Sequence, residues 1–352
     1  MRYNRLGSTG LIVSELCLGA MTFGTQPGRF GAIAGLDQAA TDGLVKQSLD
    51  AGINFIDTAN VYTTGQSEEF TGQALKNLGV KRSDVVIATK AMGAMGEGPN
   101  DAGVSRYHLM NQIDASLNRL GLDHVDLYQI HGWDSLTPMD EALRALDDIV
   151  RSGRARYIGV SNWAAWQIVK ALGLSDKLGL AKFASLQAYY TVAGRDLERE
   201  IVPMLASEGV GLMVWSPLAG GLLSGKYTAK DGGGQEGEGR RAAFDFPPVD
   251  PARADGLIGA MRTMAQARAN SSVAQIALAW LLHQPVVSTV IVGAKKADQL
   301  ADNIAACAVD LSAAEMTKLD ELSRLPREYP GWMFAMQGGY RGSKVSPRRQ
   351  PG

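Results

Sequence analysis

The chain has 352 residues, and its 35 lysines and arginines nearly cancel its 36 aspartates and glutamates. A net charge of -1 argues against nucleic acid or an anionic membrane surface as partner, since both call for a basic excess. Two cysteines exclude a disulfide framework, four histidines without an HxH or HExxH pair leave no metal site to expect, and no uncharged apolar run reaches the ~18 residues of a membrane helix.

The N-terminal MRYNRLG is polar and lacks the apolar stretch of a signal peptide, so a cytoplasmic location is expected. Residues 3–6 and 11–13 flank the turn-forming Gly7-Ser8-Thr9-Gly10 and predict a small hairpin. Cys17, in the first strand pattern that follows, reads as a core residue. Eight short apolar runs predict strands over 16–18, 54–57, 85–89, 125–130, 157–160, 183–187, 211–215 and 288–292. Helical patterns fall between them at 67–77, 106–120, 139–150, 163–172, 197–207 and 297–306. The clearest puts Met139, Ala142, Leu143, Leu146, Ile149 and Val150 on one face, with Thr137 as its predicted cap, Pro138 in its first turn and Gly153 past its end. Ser312 with Glu315 predicts a capping box and one further helix to about 323.

Parallel strands need long crossovers, and each crossover here carries a helix. Eight such units predict an α/β fold of the closed (β/α)8 TIM-barrel type. The spacing breaks once, over the 77 residues from Trp215 to Val292. That stretch holds a Gly-rich loop (220–239) and helical patterns at 251–269 and 272–283, an insertion within the barrel. A single barrel domain over 1–323 and a tail over 324–352 are expected. The chance GxGxxG at Gly232, Gly234 and Gly237 follows no strand and opens no helix, which argues against an open dinucleotide-binding sheet.

Barrel active sites lie at the C-terminal ends of the strands. Asp57 ends the second strand and Tyr62 follows it; Lys90 ends the third and His131 the fourth. The fifth runs into Ser161-Asn162, the sixth ends in Gln187, and the seventh in Trp215-Ser216. Each residue alone has an ordinary structural role open to it. Convergence at one mouth is what a site predicts. Asp57 beside Lys90 would hold the ammonium, and the cation would favour the Tyr62 phenolate and lower the phenol below its reference of about 10. Such a tyrosine can protonate an alkoxide as it forms, while His131 orients the carbonyl oxygen. No side chain can supply a hydride, so a reduced nicotinamide is the natural source.

The order Asp57, Tyr62, Lys90, His131 resembles the tetrad of the aldo-keto reductases. The segments GINFIDTANVY, VVIATK, LYQIH, YIGVSNW, LQAYY, VWSPLAGGLLSGKY and IVGAKKADQLADNIAA are similar as well, from the hairpin to about Ser323. The likeness is greatest to the branch that includes aryl-alcohol dehydrogenase-like reductases and potassium-channel β subunits. It implies a TIM barrel with an N-terminal hairpin and two extra helices, one in the insertion and one after the barrel. It implies Tyr62 as proton donor, tuned by Lys90 and Asp57, with His131 positioning substrate. Ser161, Asn162 and Gln187 would bond the nicotinamide carboxamide, and Trp215, where many members have tyrosine, would stack on the ring. Thr22 and Asp57 join the cofactor contacts. Ser216, Pro217, Leu218, Gly220 and Lys226 would line the pyrophosphate, and Gly293, Lys295, Gln299 and Asn303 would meet the adenosine half. NADP(H) is expected over NAD(H), because Lys295 falls where the family places a cation for the 2′-phosphate. Arg240 is a second candidate, with a solvated loop arginine as the other reading of it.

Met21, Phe23, Trp133, Trp163 and Tyr189 could shape a pocket for a small carbonyl substrate, or pack beneath loops. Met92 and Met95 lie in a Gly-rich loop at the same mouth. Trp332, in the tail, could close over the substrate or dock on a second subunit, so an oligomer is open. The expected activity is NADPH-dependent reduction of aldehydes or ketones. Two alternatives stand beside it: a cofactor-binding regulatory subunit with slow turnover, and a lyase that uses Lys90 as a Schiff-base nucleophile.

Overall fold

Side chains alternate between the two faces of a strand, and that alternation organises the computed structural model of this chain, which describes residues 1–26, 33–226, 246–268 and 271–342. A hairpin of β1 (Tyr3–Arg5) and β2 (Ile12–Ser14) precedes eight parallel strands. These are β3 (Leu16–Gly19), β4 (Phe55–Asp57), β5 (Val86–Ala91), β6 (Val125–Ile130), β7 (Ala155–Ser161), β8 (Phe183–Tyr189), β9 (Gly211–Trp215) and β10 (Val287–Val292). They pair in chain order and β10 returns to β3, so the α/β barrel closes without an edge strand.

Cys17, Phe55, Ala88, Leu127, Met213 and Ile291 pack inside the barrel. Neighbours of opposite parity, such as Leu18, Ile56, Ile87, Tyr128, Leu186 and Leu212, belong to the larger core under the helices. The hairpin plugs the N-terminal end with Leu6 and Val13 and donates from Ser8 N to Gly209 O at 2.7 Å. Gly7 makes this fit possible: at φ +60° its missing Cβ would lie 2.6 Å from Gly211 N and 2.7 Å from Ala184 O.

The crossover helices are α1 (Gln38–Asp50), α2 (Gln66–Asn77), α3 (Arg106–Leu120), α4 (Met139–Arg151), α5 (Ala165–Leu178) and α6 (Ile201–Glu208). The insertion carries α7 (Pro251–Gln266) and α8 (Val273–Leu282); α9 (Ala297–Ala305), α10 (Ala313–Ser323) and α11 (Gly331–Gly342) follow the last strand. The two extra helices expected are α7 and α10, and the Ser312–Glu315 capping box forms at the latter.

Several boundaries differ from the sequence expectation. Helix α1 was not foreseen, because its buried face is half polar, Thr41 and Ser48 beside Leu44 and Val45. Helix α5 begins at Ala165 rather than Trp163, with the Gln167 side chain accepting from Ala164 N. Helix α6 begins at Ile201, after a separate turn at Asp196–Glu198, because Pro203 is tolerated only in a first turn. Pro138, not Thr137, sits at the cap of α4, and the Thr137 hydroxyl donates to Asp134 instead. Within the tail, Gly331–Gly342 form α11. Among the described residues no helix is long and apolar enough to cross a membrane, and no group of three His, Cys, Asp or Glu side chains could hold a metal.

Candidate active site

Inward-facing positions are largely apolar through the barrel, with Ser185 and Thr289 as buried polar exceptions, and turn polar toward its C-terminal end. In register, Asp57 lies opposite Ala88, Lys90 opposite Gln129, Ser161 opposite Gln187 and Tyr189 opposite Trp215. Beyond β4 the chain keeps bonding to β5, Thr58 N to Ala88 O at 2.9 Å and Asn60 N to Lys90 O at 3.0 Å. That brings Tyr62 back over Lys90, and Thr63 Oγ1 anchors the turn on Phe23 O at 2.8 Å.

Lys90 is wholly buried and Asp57 nearly so. The Lys90 ammonium donates to Asp57 Oδ2 at 2.5 Å, to Thr58 O at 2.8 Å and to Tyr62 Oη at 3.3 Å. Burial alone would push the Lys90 amine down, but the Asp57 carboxylate and the Tyr62 hydroxyl beside it raise it above its ordinary value. The His131 ring meets Tyr62 edge-to-face, with centroids 5.7 Å apart. The structure therefore brings Asp57, Tyr62, Lys90 and His131 to one place.

Asp57 has further partners. Its Oδ1 accepts from Gln129 Nε2 and Gln187 Nε2, both at 3.0 Å, and Gln187 Nε2 also donates to Gln129 Oε1 at 3.2 Å. Gln129 was missed in the sequence. Its signal was there: in LYQIH it is the inward position two residues before His131. Glu68 was missed as well; buried behind β5, it accepts from Thr89 Oγ1 at 2.5 Å and from Arg119 Nε at 2.7 Å.

Around this centre the loops hold unusual backbone. Thr63, Thr64, Asn162, Ser216 and Ala219 adopt φ between 50° and 59°, all in loops after β4, β7 and β9. Such conformations cost about 1–3 kcal/mol each and concentrate at functional sites. Asn162 Nδ2 donates to His131 O at 3.3 Å and its Oδ1 accepts from Trp215 Nε1 at 3.0 Å. The Trp215 ring packs against Tyr189 and lies parallel to Phe246 at 5.7 Å. Ser161 Oγ donates to Gln187 O at 2.9 Å, and Thr22 Oγ1 to Ala294 O at 3.0 Å.

The chain matches the aldo/keto reductase family over residues 15–324. It belongs to that family. It is 38% identical over 315 residues to a probable voltage-gated potassium channel subunit beta of Oryza sativa subsp. japonica, covering 87% of this chain and 91% of that protein. It is 36% identical over 330 residues to an uncharacterised oxidoreductase of Bacillus subtilis, covering 92% and 96%. Versiconal hemiacetal acetate reductase of Aspergillus parasiticus is 35% identical over 351 residues, covering 91% and 96%. The family and these relatives make the chain an oxidoreductase of the aldo-keto reductase class, a class that generally uses NAD(P)H on small carbonyl compounds.

The remaining candidates of this aldo-keto reductase fall into two groups. Ser216, Pro217, Leu218 and Gly220 form the loop after β9, with Gly220 N donating to Ser216 Oγ at 3.1 Å and Gly220 itself at φ +68°. Lys226 is exposed at its end. Gly293 and Lys295 are exposed after β10, while Gln299 and Asn303 lie on α9; Gln299 Oε1 accepts from Lys295 N at 3.0 Å. Arg240 lies outside the described residues.

The substrate candidates need correction. Phe23 is fully buried and packs in the core, so no ligand reaches it without rearrangement. Trp163 is also buried: its Nε1 donates to Gly132 O at 3.0 Å and its ring packs on Phe183. It braces the His131-Gly132-Trp133 segment from behind. Trp133 stays at the surface with its ring edge-on to Trp163, and Met21 is half-buried. Trp332 is half-exposed on α11 with its ring against Tyr329. The loop after β5 is tied down by Asp134, which accepts from Val104 N, Leu136 N and Thr137 Oγ1. Burial would raise the Asp134 carboxyl, but those bonds hold it below its usual range.

Proposed function

We propose that this chain reduces aldehydes or ketones to alcohols with NADPH, with Tyr62 as the proton donor. The observation that carries the reading is the Lys90 ammonium held between Asp57 and the Tyr62 hydroxyl in a fully buried position. Bound beside Trp215, a reduced nicotinamide would supply the hydride to the carbonyl carbon.

The chain's own residues do the rest. The Tyr62 hydroxyl gives its proton to the carbonyl oxygen as charge develops there, and the ammonium stabilises the phenolate left behind. Asp57 keeps that ammonium in place. His131, edge-on to Tyr62, orients the carbonyl oxygen. Residues present fit the cofactor: polar Ser161, Asn162 and Gln187 ring the mouth beside Trp215. The backbone at Gly293 is open, since an added Cβ would meet only Gly19 O at 3.7 Å. Lys226 and Lys295 offer exposed cations to its phosphates, Lys295 to the 2′-phosphate.

A panel of carbonyl substrates followed by NADPH absorbance tests this, with Tyr62→Phe as control. Turnover should fall by about 10² or more while the NADPH dissociation constant stays within about twofold. Wild-type turnover in Tyr62→Phe would remove the proton-donor role. The likeness to channel β subunits favours a second reading, a cofactor-binding module with slow turnover. Single-turnover rates with and without a partner separate the two. A Schiff-base nucleophile must be an uncharged amine, and the Asp57 pairing that raises Lys90 counts against that role.

A further inference from the structure

Residues 93–102 leave β5 and return to nearly the same point. Gly103 N donates to Met92 O at 2.8 Å, which gives the loop a narrow neck. Inside the loop, Met95 N donates to Asp101 O at 2.9 Å and Gly98 N to Asp101 Oδ2 at 2.8 Å. His108 Nδ1, facing a carbonyl that only accepts, donates to Asn100 O at 3.0 Å. The neck itself is held by Asp134, from the neighbouring loop after β6. Asp134 Oδ2 accepts from Val104 N at 2.9 Å and from Thr137 Oγ1 at 2.7 Å, and Oδ1 accepts from Leu136 N at 2.9 Å. Only a glycine lets the carboxylate come this close: at φ +89°, a Cβ on Gly103 would lie 2.7 Å from Asp134 Oδ2. The base of the loop stands beside both residues that would handle a carbonyl oxygen. A Cβ on Gly93 would lie 2.5 Å from Val61 Cγ1, next to Tyr62, and one on Gly132 would lie 3.1 Å from Met92 Sδ, next to His131.

We propose that Asp134 is a positioning residue for substrate selection: by clamping the neck of the 93–102 loop, it fixes a wall beside Tyr62 and His131 that admits aldehydes in preference to ketones. The proposal deepens the reading of this site as a carbonyl reductase and rests on it. An aldehyde carries hydrogen where a ketone carries a second carbon. A fixed wall beside the partners of the carbonyl oxygen leaves little room for that carbon. Once Asp134 releases the neck, the wall yields and the ketone gains most. Aldehydes are also intrinsically more reactive, but that factor is common to wild type and variant and cancels when their ratios are compared.

The test compares wild type, Asp134→Ala, Asp134→Asn and Gly103→Ala on two matched pairs, benzaldehyde with acetophenone and hexanal with 2-heptanone. Each pair differs by one methyl group on the carbonyl carbon. Two quantities are read: the aldehyde-to-ketone ratio of kcat/KM, and amide hydrogen exchange across 93–104, which needs no turnover. In Asp134→Ala, exchange in that segment should rise by about tenfold or more. The ratio should fall by about fivefold or more, mainly through a lower ketone KM, within the roughly 10- to 200-fold that one carbon can command in a fitted pocket. Gly103→Ala pushes the neck off the carboxylate from the other side and should do the same. Asp134→Asn can keep its oxygen toward Val104 N and Thr137 Oγ1 and should hold the ratio within about twofold of wild type. A purely structural role lowers both members of a pair equally; an unchanged ratio in Asp134→Ala and Gly103→Ala overturns the proposal and leaves the reductase reading standing. Unchanged exchange across 93–104 in Asp134→Ala overturns it too, as does a ratio that moves in Asp134→Ala but not in Gly103→Ala. If wild type reduces none of these carbonyls, the reductase reading fails and the proposal falls with it.

Discussion

Replacing Lys90 by methionine separates what the buried ion pair does for folding from what it does for chemistry. At 2.5 Å the attraction between Lys90 and Asp57 is about 7 kcal/mol at an effective dielectric of about 20, and desolvation of the two ions offsets most of it. The intact pair therefore adds little net stability, yet breaking it is costly. Lys90→Met leaves the Asp57 carboxylate buried against two glutamine amides, which should destabilise the fold by about 3–5 kcal/mol. Adding Asp57→Leu removes the stranded charge. The double variant should return to within about 2 kcal/mol of wild type, the remainder being two amides that lose an acceptor at about 1 kcal/mol each. Turnover should be lost in both, by about 10² or more, because no ammonium remains beside Tyr62. Urea unfolding followed by circular dichroism measures the first part, and NADPH oxidation with a carbonyl substrate the second. A double variant no more stable than the single one would refute the buried-charge account; one that turns over normally would refute the catalytic account.

Other consequences are simpler to read. Gly72→Ala in α2 should destabilise the protein by at least about 2 kcal/mol, although alanine is favoured over glycine in helices by about 1 kcal/mol. The new Cβ would lie 2.0 Å from Leu120 O, and a gain in the urea midpoint would show that α2 and α3 can move apart. The Glu315 carboxyl, held down to about 2 by the Arg268 side chain against the opposing effect of its burial, is depressed below its value of 4.5. A depressed acid stabilises above its unfolded value and loses that contribution as pH falls through the folded one. The stability gap between wild type and Glu315→Gln should therefore be full above pH 4.5 and vanish toward pH 2; a gap independent of pH would exclude the ion pair as its source. Lys295→Ala should weaken NADPH more than NADH in binding titrations, and equal losses would reject the 2′-phosphate assignment.

Much of this molecule is legible in sequence because the signals are local. Apolar runs separated by helical periodicity set eight strands and their order, and β6, β9 and α3 begin and end where the pattern places them. Strand-end residues could be read as a site because a closed parallel barrel brings every C-terminal strand end to one mouth. Where burial is set by distant partners, local pattern failed. The buried face of α1 is half polar, so no periodicity marks it. Phe23 and Trp163 have the composition of pocket residues, but their rings pack in the core, which only the tertiary contacts could decide. Gln129 lies 72 residues from Asp57 and 58 from Gln187 in the chain, and the stagger of the barrel strands makes them neighbours. The kinds of chemical group at the mouth follow from sequence alone. Which of them share a proton, and which way each amide faces, is set by strand register, because hydrogen bonds depend on ångström-scale separations that the order of residues does not contain.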